Sequence, residues 1–413
     1  MASSNVPPLP ESGKYIEAVT SSCHALRLAS EIDVPLAAVE RLLRSPALSG
    51  SFTRLGTVHG VNFPLAFPSV KTELNFLATL ALLNFASGYR APLHAATGRG
   101  AYDTIRILVM GMYIDSDSGL MSARGWDQLT TAQIASLMNV SLHEEKAHPT
   151  IPGLVVGELG GPLNELVEII VTTLKEAGQV LIKGGYDDLG AFVVETLEEA
   201  KRIGASQGNG PSPDLIVERL VKAIPGFRDM AVIDGQPVYL FKKALFLVHA
   251  IRLRFGETPG GSVPVPATDN LPVFSDNVLP SMLVHLGVLD LSQGPTALRS
   301  AFPSAGSAES LDTLLQEPTP ENSSTEAGRP AKGTPSLNGP ALNARDAYIL
   351  RAAAVDACEM IVKIAREEAK EGDPSWRKEM TLPQLDGWLW AVAKDRKDYR
   401  HLPRFAERGT AYY

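Results

Sequence analysis

Two short runs of this chain carry residue types that can do chemistry together. Phe241-Lys242-Lys243-Ala244 and, further on, Phe274-Ser275-Asp276-Asn277-Val278-Leu279-Pro280 each stand where a strand or loop is predicted to hand over to a helix. Such junctions can project a cation, Lys242, and a carboxylate, Asp276, into one pocket, where the cation holds the carboxylate ionised. Each residue also has a plain structural explanation. Ser275 or Asp276, followed by a helix with Pro280 in its first turn, reads as a helix N-cap. Lys242 reads as a solvated lysine where a strand ends.

Other candidates are weaker. His143-Glu144-Glu145-Lys146-Ala147-His148 looks like a zinc-protease motif, but a second histidine on the same helix face would have to stand at 147, where the chain has Ala147. We read the run as a solvated charged turn and expect no metal. Gly157-Glu158-Leu159-Gly160-Gly161-Pro162 and Gly98-Arg99-Gly100 each precede a helix, whose N-terminus can bind phosphate. Neither has the Lys-Ser/Thr of a P-loop or clearly follows a strand, so both read as loop glycines, with Arg99 a weak anion contact. Cys23 and Cys358 lie in helix-like segments and read as buried apolar thiols.

The elements that must position these residues are mostly helical. Lys71 to Phe85 is apolar on most faces and reads as a buried central helix. Leu163, Leu166, Ile170, Leu174 and Ala177 recur at helical spacing after Pro162. Ser212-Pro213-Asp214 starts a helix and Pro225-Gly226 stops it. Val232-Ile233 and Val238-Tyr239-Leu240 form a small hairpin through Asp234-Gly235, though Pro237 weakens the second strand. A helix follows from about Lys242 to Phe255. Asn343 and Asp346 resemble a capping box ahead of an apolar stripe of Leu350, Ala354, Ala357, Ile361 and Ile364, which Gly372-Asp373-Pro374 ends.

Between Ser292 and about Asn343, Pro303, Pro318, Pro320, Pro330, Pro335 and Pro340 mix with Ser, Gly, Thr and Glu, and no aromatic follows Phe302. Only Leu311, Leu314 and Leu315 suggest a brief helix. The expected organisation is a flexible 1–12, one helical domain formed by 13–292 and 344–413, and a disordered insertion at 293–343. The last segment holds Trp376, Trp388 and Trp390 and is expected to fold back on the main body.

Of the 413 residues, 45% are hydrophobic and 20% charged, enough for a large core. A net charge of -8 with no basic stripe argues against polymeric nucleic acid as a partner. Met1 to Pro8 has neither the basic nor the apolar part of a signal peptide. No apolar run approaches the roughly 20 residues of a membrane span. With two widely separated cysteines, these features predict a cytoplasmic protein, expected to be a monomer with no membrane partner.

The Lys242 and Asp276 runs, with Leu385-Asp386-Gly387-Trp388-Leu389-Trp390 and Tyr412-Tyr413, resemble in order and spacing the queuosine salvage family, the queuosine 5'-phosphate N-glycosylase/hydrolases. Leu83-Asn84-Phe85, Leu129-Thr130-Thr131, Pro225-Gly226-Phe227-Arg228-Asp229 and His285-Leu286-Gly287-Val288-Leu289 extend the resemblance. It implies a mainly α fold similar to helix-hairpin-helix DNA glycosylases, with a small β-hairpin. It also implies hydrolysis of a small nucleotide, queuosine 5'-phosphate, to queuine and ribose 5-phosphate without a cofactor.

In that reaction a carboxylate stabilises an oxocarbenium-like state or orients water. The resemblance assigns this to Asp276, with Lys242 beside it. Phe85 and Phe274 would flank the base, Asn84 would bond its edge, and Arg228 and Asp386 would complete the substrate contacts. The chain departs from the family at Ala81, Ala86 to Arg90, Leu245, Asn277 and Val278, which predicts altered base recognition. The competing expectation is a nucleotide-binding or scaffold protein without turnover. The two differ in whether Lys242 and Asp276 meet over an aromatic-lined pocket.

Overall fold

The computed structural model describes residues 6–57, 60–115, 118–256, 263–319 and 338–413. It is mainly helical, with three small two-stranded sheets. At its centre the helix Lys242–Phe255 packs against Val70–Leu82, and Val278–His285 packs against Ala344–Glu367 and Leu382–Asp395. Lys242–Phe255 and Val278–His285 are buried along most of their length because neighbours surround them, and Val278–His285 is apolar on nearly every face. Pro280 falls in the first turn of Val278–His285, where a missing N–H costs no helical bond. The last tryptophans pack against the body: Trp376 stacks on Phe52 at 4.7 Å and Trp388 Nε1 donates to Ser51 Oγ at 2.8 Å.

Several local expectations hold. Ser212 caps Pro213–Ala223, and Asn343 caps Ala344–Glu367 by accepting from the Asp346 N–H. Met230–Ile233 pairs with Gln236–Tyr239, and Asp234 and Gly235, at φ 48° and 81°, make the two-residue turn. Pro237 is tolerated because this sheet has only two strands, leaving its outer edge without a ladder to join.

Three expectations need correction. His143–Ala147 is a strand, not a turn; it pairs antiparallel with Val155–Leu159, and Lys146 bridges to Glu158 at 2.7 Å. It is solvent-exposed, as a charged run should be. Residues 6–12 are fastened to the body: Tyr239 Oη donates to the Pro8 carbonyl, and Ser12 Oγ to Glu218 Oε2.

The third correction concerns 293–343. Thr296–Ala301 and Ala308–Leu314 are helices, with Leu298, Phe302, Leu311 and Leu314 buried. Hydrogen bonds from the Ala47 N–H to the Leu315 carbonyl and from Tyr399 Oη to the Leu314 carbonyl tie this stretch to the core. Its few apolar residues anchor it despite the prolines around them. The rest of the expected insertion, 320–337, lies outside the described residues. Leu298 is fully buried, so Leu298→Ala is expected to cost about 2–5 kcal/mol. Chemical denaturation of the two proteins checks this; an unchanged midpoint would mean that the stretch contributes nothing to the core.

Candidate active site

The position of Lys242 begins at a strained residue. The chain leaves the Gln236–Tyr239 strand through Phe241, a fully buried aromatic residue at φ 46°. A left-handed backbone at such a residue costs of order 1–3 kcal/mol and must be held by its surroundings. The Asp229 carbonyl accepts from the N–H groups of Leu240 and Phe241, and Asp229 Oδ2 from that of Lys242 at 3.4 Å. The Phe241 ring packs against Tyr15 and Tyr239.

The two lysines then enter the protein. Lys242 Nζ donates to the Asn84 carbonyl at 2.6 Å. Lys243 Nζ donates to the carbonyls of Leu82 at 2.8 Å and Ala411 at 2.5 Å, and lies over the Phe85 ring. Burial pulls Lys242 down to about 8, with the charge of Asp276 acting against that fall. Burial, reinforced by the charge of Lys242, takes Lys243 well below the ordinary lysine range.

Asp276 does cap its helix: Oδ1 accepts from the N–H of Val278 at 2.6 Å and, more weakly, of Leu279 at 3.4 Å. The residue is only partly buried. It does not ion-pair with Lys242, whose ammonium is directed to Asn84. Its charge nevertheless acts on four buried groups: Lys242, Asp386, Lys394 and Arg404. Asp386 is 4% exposed and accepts from the Phe274 N–H at 2.7 Å. Burial, with Asp276 nearby, pushes Asp386 up to about 8 although the Phe274 bond and Lys242 oppose the rise. Near neutral pH the groups near Asp276 therefore include a largely charged Lys242 and a protonated Asp386.

Sequence reasoning missed two cations that feel the same carboxylate, Lys394 and Arg404, and two more, Arg90 and Arg400, that lie near Arg404. Arg404 is 8% exposed; one terminal nitrogen donates to the Ala393 carbonyl at 2.6 Å, while its Nε is buried without a partner. Burial and then Arg90 lower it to about 9, against the pull of Asp276. Arg90 is itself lowered by burial and by Arg400. Lys394 Nζ sits 3.3 Å from the centre of the Trp390 ring, with Tyr102 beyond it. Lys394 as a whole is partly exposed, yet burial of its ammonium brings it to about 7, with Asp103 and Asp276 opposing. Among the described residues, none of Arg90, Lys394, Arg400 and Arg404 forms an ion pair.

Side chains that hold a backbone bring Arg404 near Asp276. Asn277, Ser281 and His285 recur every four residues and so share one face of Val278–His285 and its cap. Asn277 Nδ2 donates to the Phe405 carbonyl, Ser281 Oγ accepts from the Phe405 N–H, and His285 Nε2 donates to the Pro403 carbonyl. Residues 403–405 are thus laced to the helix that Asp276 caps. On the far side, Gly88 lets the Ser87–Tyr89 turn approach: a Cβ there would lie 1.8 Å from the Glu407 carbonyl oxygen. Tyr89 Oη accepts from the Gly409 N–H at 2.9 Å. Arg90, one residue past this turn, therefore faces Arg404.

The other residues singled out from sequence divide. Asp386 lies beside Asp276 and Lys242. Asn84 is there too, though through its carbonyl. Phe85 and Phe274 are nearly buried; Phe274 packs edge-on to Phe246 and against the His249 ring. Arg228 is placed elsewhere: its guanidinium caps Pro213–Ala223 by donating to the carbonyls of Val221 and Lys222. Ala81 and Leu245 are fully buried in packing, Val278 nearly so, and Asn277 serves residue 405. Among the described residues no three His, Cys, Asp or Glu side chains group to hold a metal ion. No helix is long and apolar enough to cross a membrane.

The family model described as queuosine salvage protein matches residues 69–300, more than half of the chain. The match contains Asn84, Phe85, Arg90, Lys242, Phe274 and Asp276 and stops short of Asp386, Lys394, Arg400 and Arg404. No curated protein matches the chain.

Proposed function

Since this chain belongs to the queuosine salvage protein family, we propose that it hydrolyses the N-glycosidic bond of queuosine 5'-phosphate. The observation that carries this reading is a partly exposed carboxylate, Asp276, whose charge reaches Lys394 and Arg404; these two, with Arg90 and Arg400 near Arg404, form a group of four cations that makes no carboxylate ion pair among the described residues. A nucleoside 5'-phosphate needs both charges. Its phosphate calls for the cations, and the ribosyl centre, which becomes positive as the bond to the base breaks, calls for the carboxylate.

In this reading Arg90, Lys394, Arg400 and Arg404 hold the 5'-phosphate. Asp276 stabilises the developing cation at C1' or orients water against it. The electrons of the broken bond leave with the base, which takes a proton, and water supplies the new hydroxyl of ribose 5-phosphate. Asp386, protonated up to about pH 8, can donate a hydrogen bond to the departing base. Lys242 fixes the Asn84 turn and keeps positive charge beside Asp276. The helical body would be of the helix-hairpin-helix glycosylase kind, acting as a cytoplasmic monomer. Incubation with queuosine 5'-phosphate tests the reaction, with release of reducing sugar as the readout. No release above a protein-free control would reject it.

A second reading, binding without turnover, is favoured by one observation: Lys242 hydrogen-bonds the Asn84 carbonyl and not Asp276.

The phosphate assignment has its own pH test. Lys394 titrates at about 7, and a bound phosphate favours its charged form. The complex therefore holds more protons than the free protein, and affinity must fall as pH rises. A phosphate monoester is already largely dianionic above roughly pH 6–7, so the ligand changes little. From pH 7 to 9 the affinity for ribose 5-phosphate is expected to fall by roughly tenfold. Calorimetric titration measures it, and Lys394→Met is expected to flatten the dependence.

A further inference from the structure

We propose that Arg351 is the positioning residue that holds the Lys242 and Asp276 segments in register, an inference that rests on the hydrolase reading above. Arg351 lies in the middle of Ala344–Glu367 and is fully buried. Two of its nitrogens donate to the two oxygens of Asp229, at 3.1 and 2.6 Å. Its Nε donates to the Ser275 carbonyl at 3.0 Å, and Ser275 Oγ returns a bond to the Arg351 carbonyl. One planar guanidinium thus spans the residue before Asp276 and the carboxylate that receives the Lys242 N–H. A lysine ammonium lacks this fixed fork.

The surroundings immobilise the strut. Tyr413 stacks on the guanidinium at 4.1 Å, and its hydroxyl bonds to Glu407. Tyr348 Oη donates to Asp229 Oδ1 at 3.1 Å. Residues 411 and 412 also meet Lys243, through the Ala411 carbonyl and the Tyr412 ring.

Stability alone does not explain the arrangement. A buried ion pair is often no more stabilising than apolar residues of similar volume, whereas removing one partner is strongly destabilising. An apolar pair could therefore serve the fold. It could not bond both the Ser275 carbonyl and the Lys242 N–H. The strain at Phe241, one residue before Lys242, gives this segment a reason to drift once Asp229 lets go.

The test compares the full chain with Arg351→Lys, Arg351→Met and the double variant Asp229→Leu/Arg351→Met. Arg351→Met is expected to lower the melting temperature and the double variant to recover it. With queuosine 5'-phosphate, kcat is expected to fall about 100-fold in Arg351→Lys and in the double variant, the scale of a small misplacement of reacting groups. KM should change little, because the cations around Arg404 are untouched. Recovery of kcat together with melting temperature in the double variant would overturn the proposal.

A second readout needs no turnover. Lysine side-chain NMR follows the titration of Lys242 with and without Asp276→Asn. In the wild-type background the substitution is expected to lower the Lys242 midpoint; in the double-variant background that coupling is expected to vanish. Equal coupling in both would refute the positioning role even if the wild-type protein releases no base. Absence of release with the coupling pattern intact would instead refute only the hydrolase reading.

Discussion

Asp276→Asn is expected to abolish cleavage of the glycosidic bond, lowering kcat by about 10³-fold or more, while the protein stays folded. Removing a group that stabilises transition-state charge in a shielded site typically costs on the order of 10²–10³-fold, and loss of an acid–base role on the order of 10²–10⁴-fold. Asparagine is the informative replacement because it separates two roles of one side chain. The Asp276 cap on Val278 and Leu279 needs only an oxygen acceptor, and asparagine caps about as well as aspartate. Asp276→Ala would remove the cap too, at a cost of about 0.5–2 kcal/mol, and so confuse stability with chemistry.

The charge change has a second signature. Asp276 opposes the fall of Lys242, Lys394 and Arg404, so its loss depresses them further. A buried base with a lowered value destabilises the fold below that value and is relieved as pH rises towards its unfolded value. The stability deficit of Asp276→Asn is therefore expected to be larger at pH 7 than at pH 10. Thermal unfolding at the two pH values, run beside the activity assay, checks both parts.

The second large effect is expected at Arg404. Arg404→Gln should raise KM for the 5'-phosphate substrate by about 10–100-fold, the worth of one or two charge-assisted hydrogen bonds. The dephosphorylated nucleoside should be processed as before. A structural arginine would behave differently. Among the described residues Arg404 has no carboxylate partner, and it is repelled by Arg90 and leaves its Nε unsatisfied, so the substitution removes strain. Glutamine can still donate to the Ala393 carbonyl. The variant is therefore expected to melt at the same temperature or higher. An equal loss of activity on nucleotide and nucleoside, or a fall in melting temperature, would remove Arg404 from the phosphate assignment.

The sequence made some of this legible and hid the rest for identifiable reasons. Lys242–Phe255 was readable because an apolar run follows a strand ending, and the hairpin because Asp-Gly suits a two-residue turn. The cap made by Asp276 was visible too, since capping is a local property. The cations were not. Arg404 reaches Asp276 because Asn277, Ser281 and His285 grip the backbone of 403–405, and backbone groups leave no signature at the partner positions. The four-residue spacing of those polar residues in an otherwise apolar helix was the available signal. Arg228 stood in a run shared with the family but is used for a helix C-terminus. Leu311, Leu314 and Leu315 did suggest the helix Ala308–Leu314, whereas Thr296–Ala301 was hidden because so short a helix draws its stability from tertiary packing.

The central claim meets its most direct test in one measurement: the time course of free base released from queuosine 5'-phosphate by the purified full chain, followed by mass spectrometry. The account predicts stoichiometric release of queuine with ribose 5-phosphate, lost in Asp276→Asn at unchanged folding. A substrate that binds yet stays intact at every time point would contradict it and leave a protein that holds the nucleotide without cleaving it.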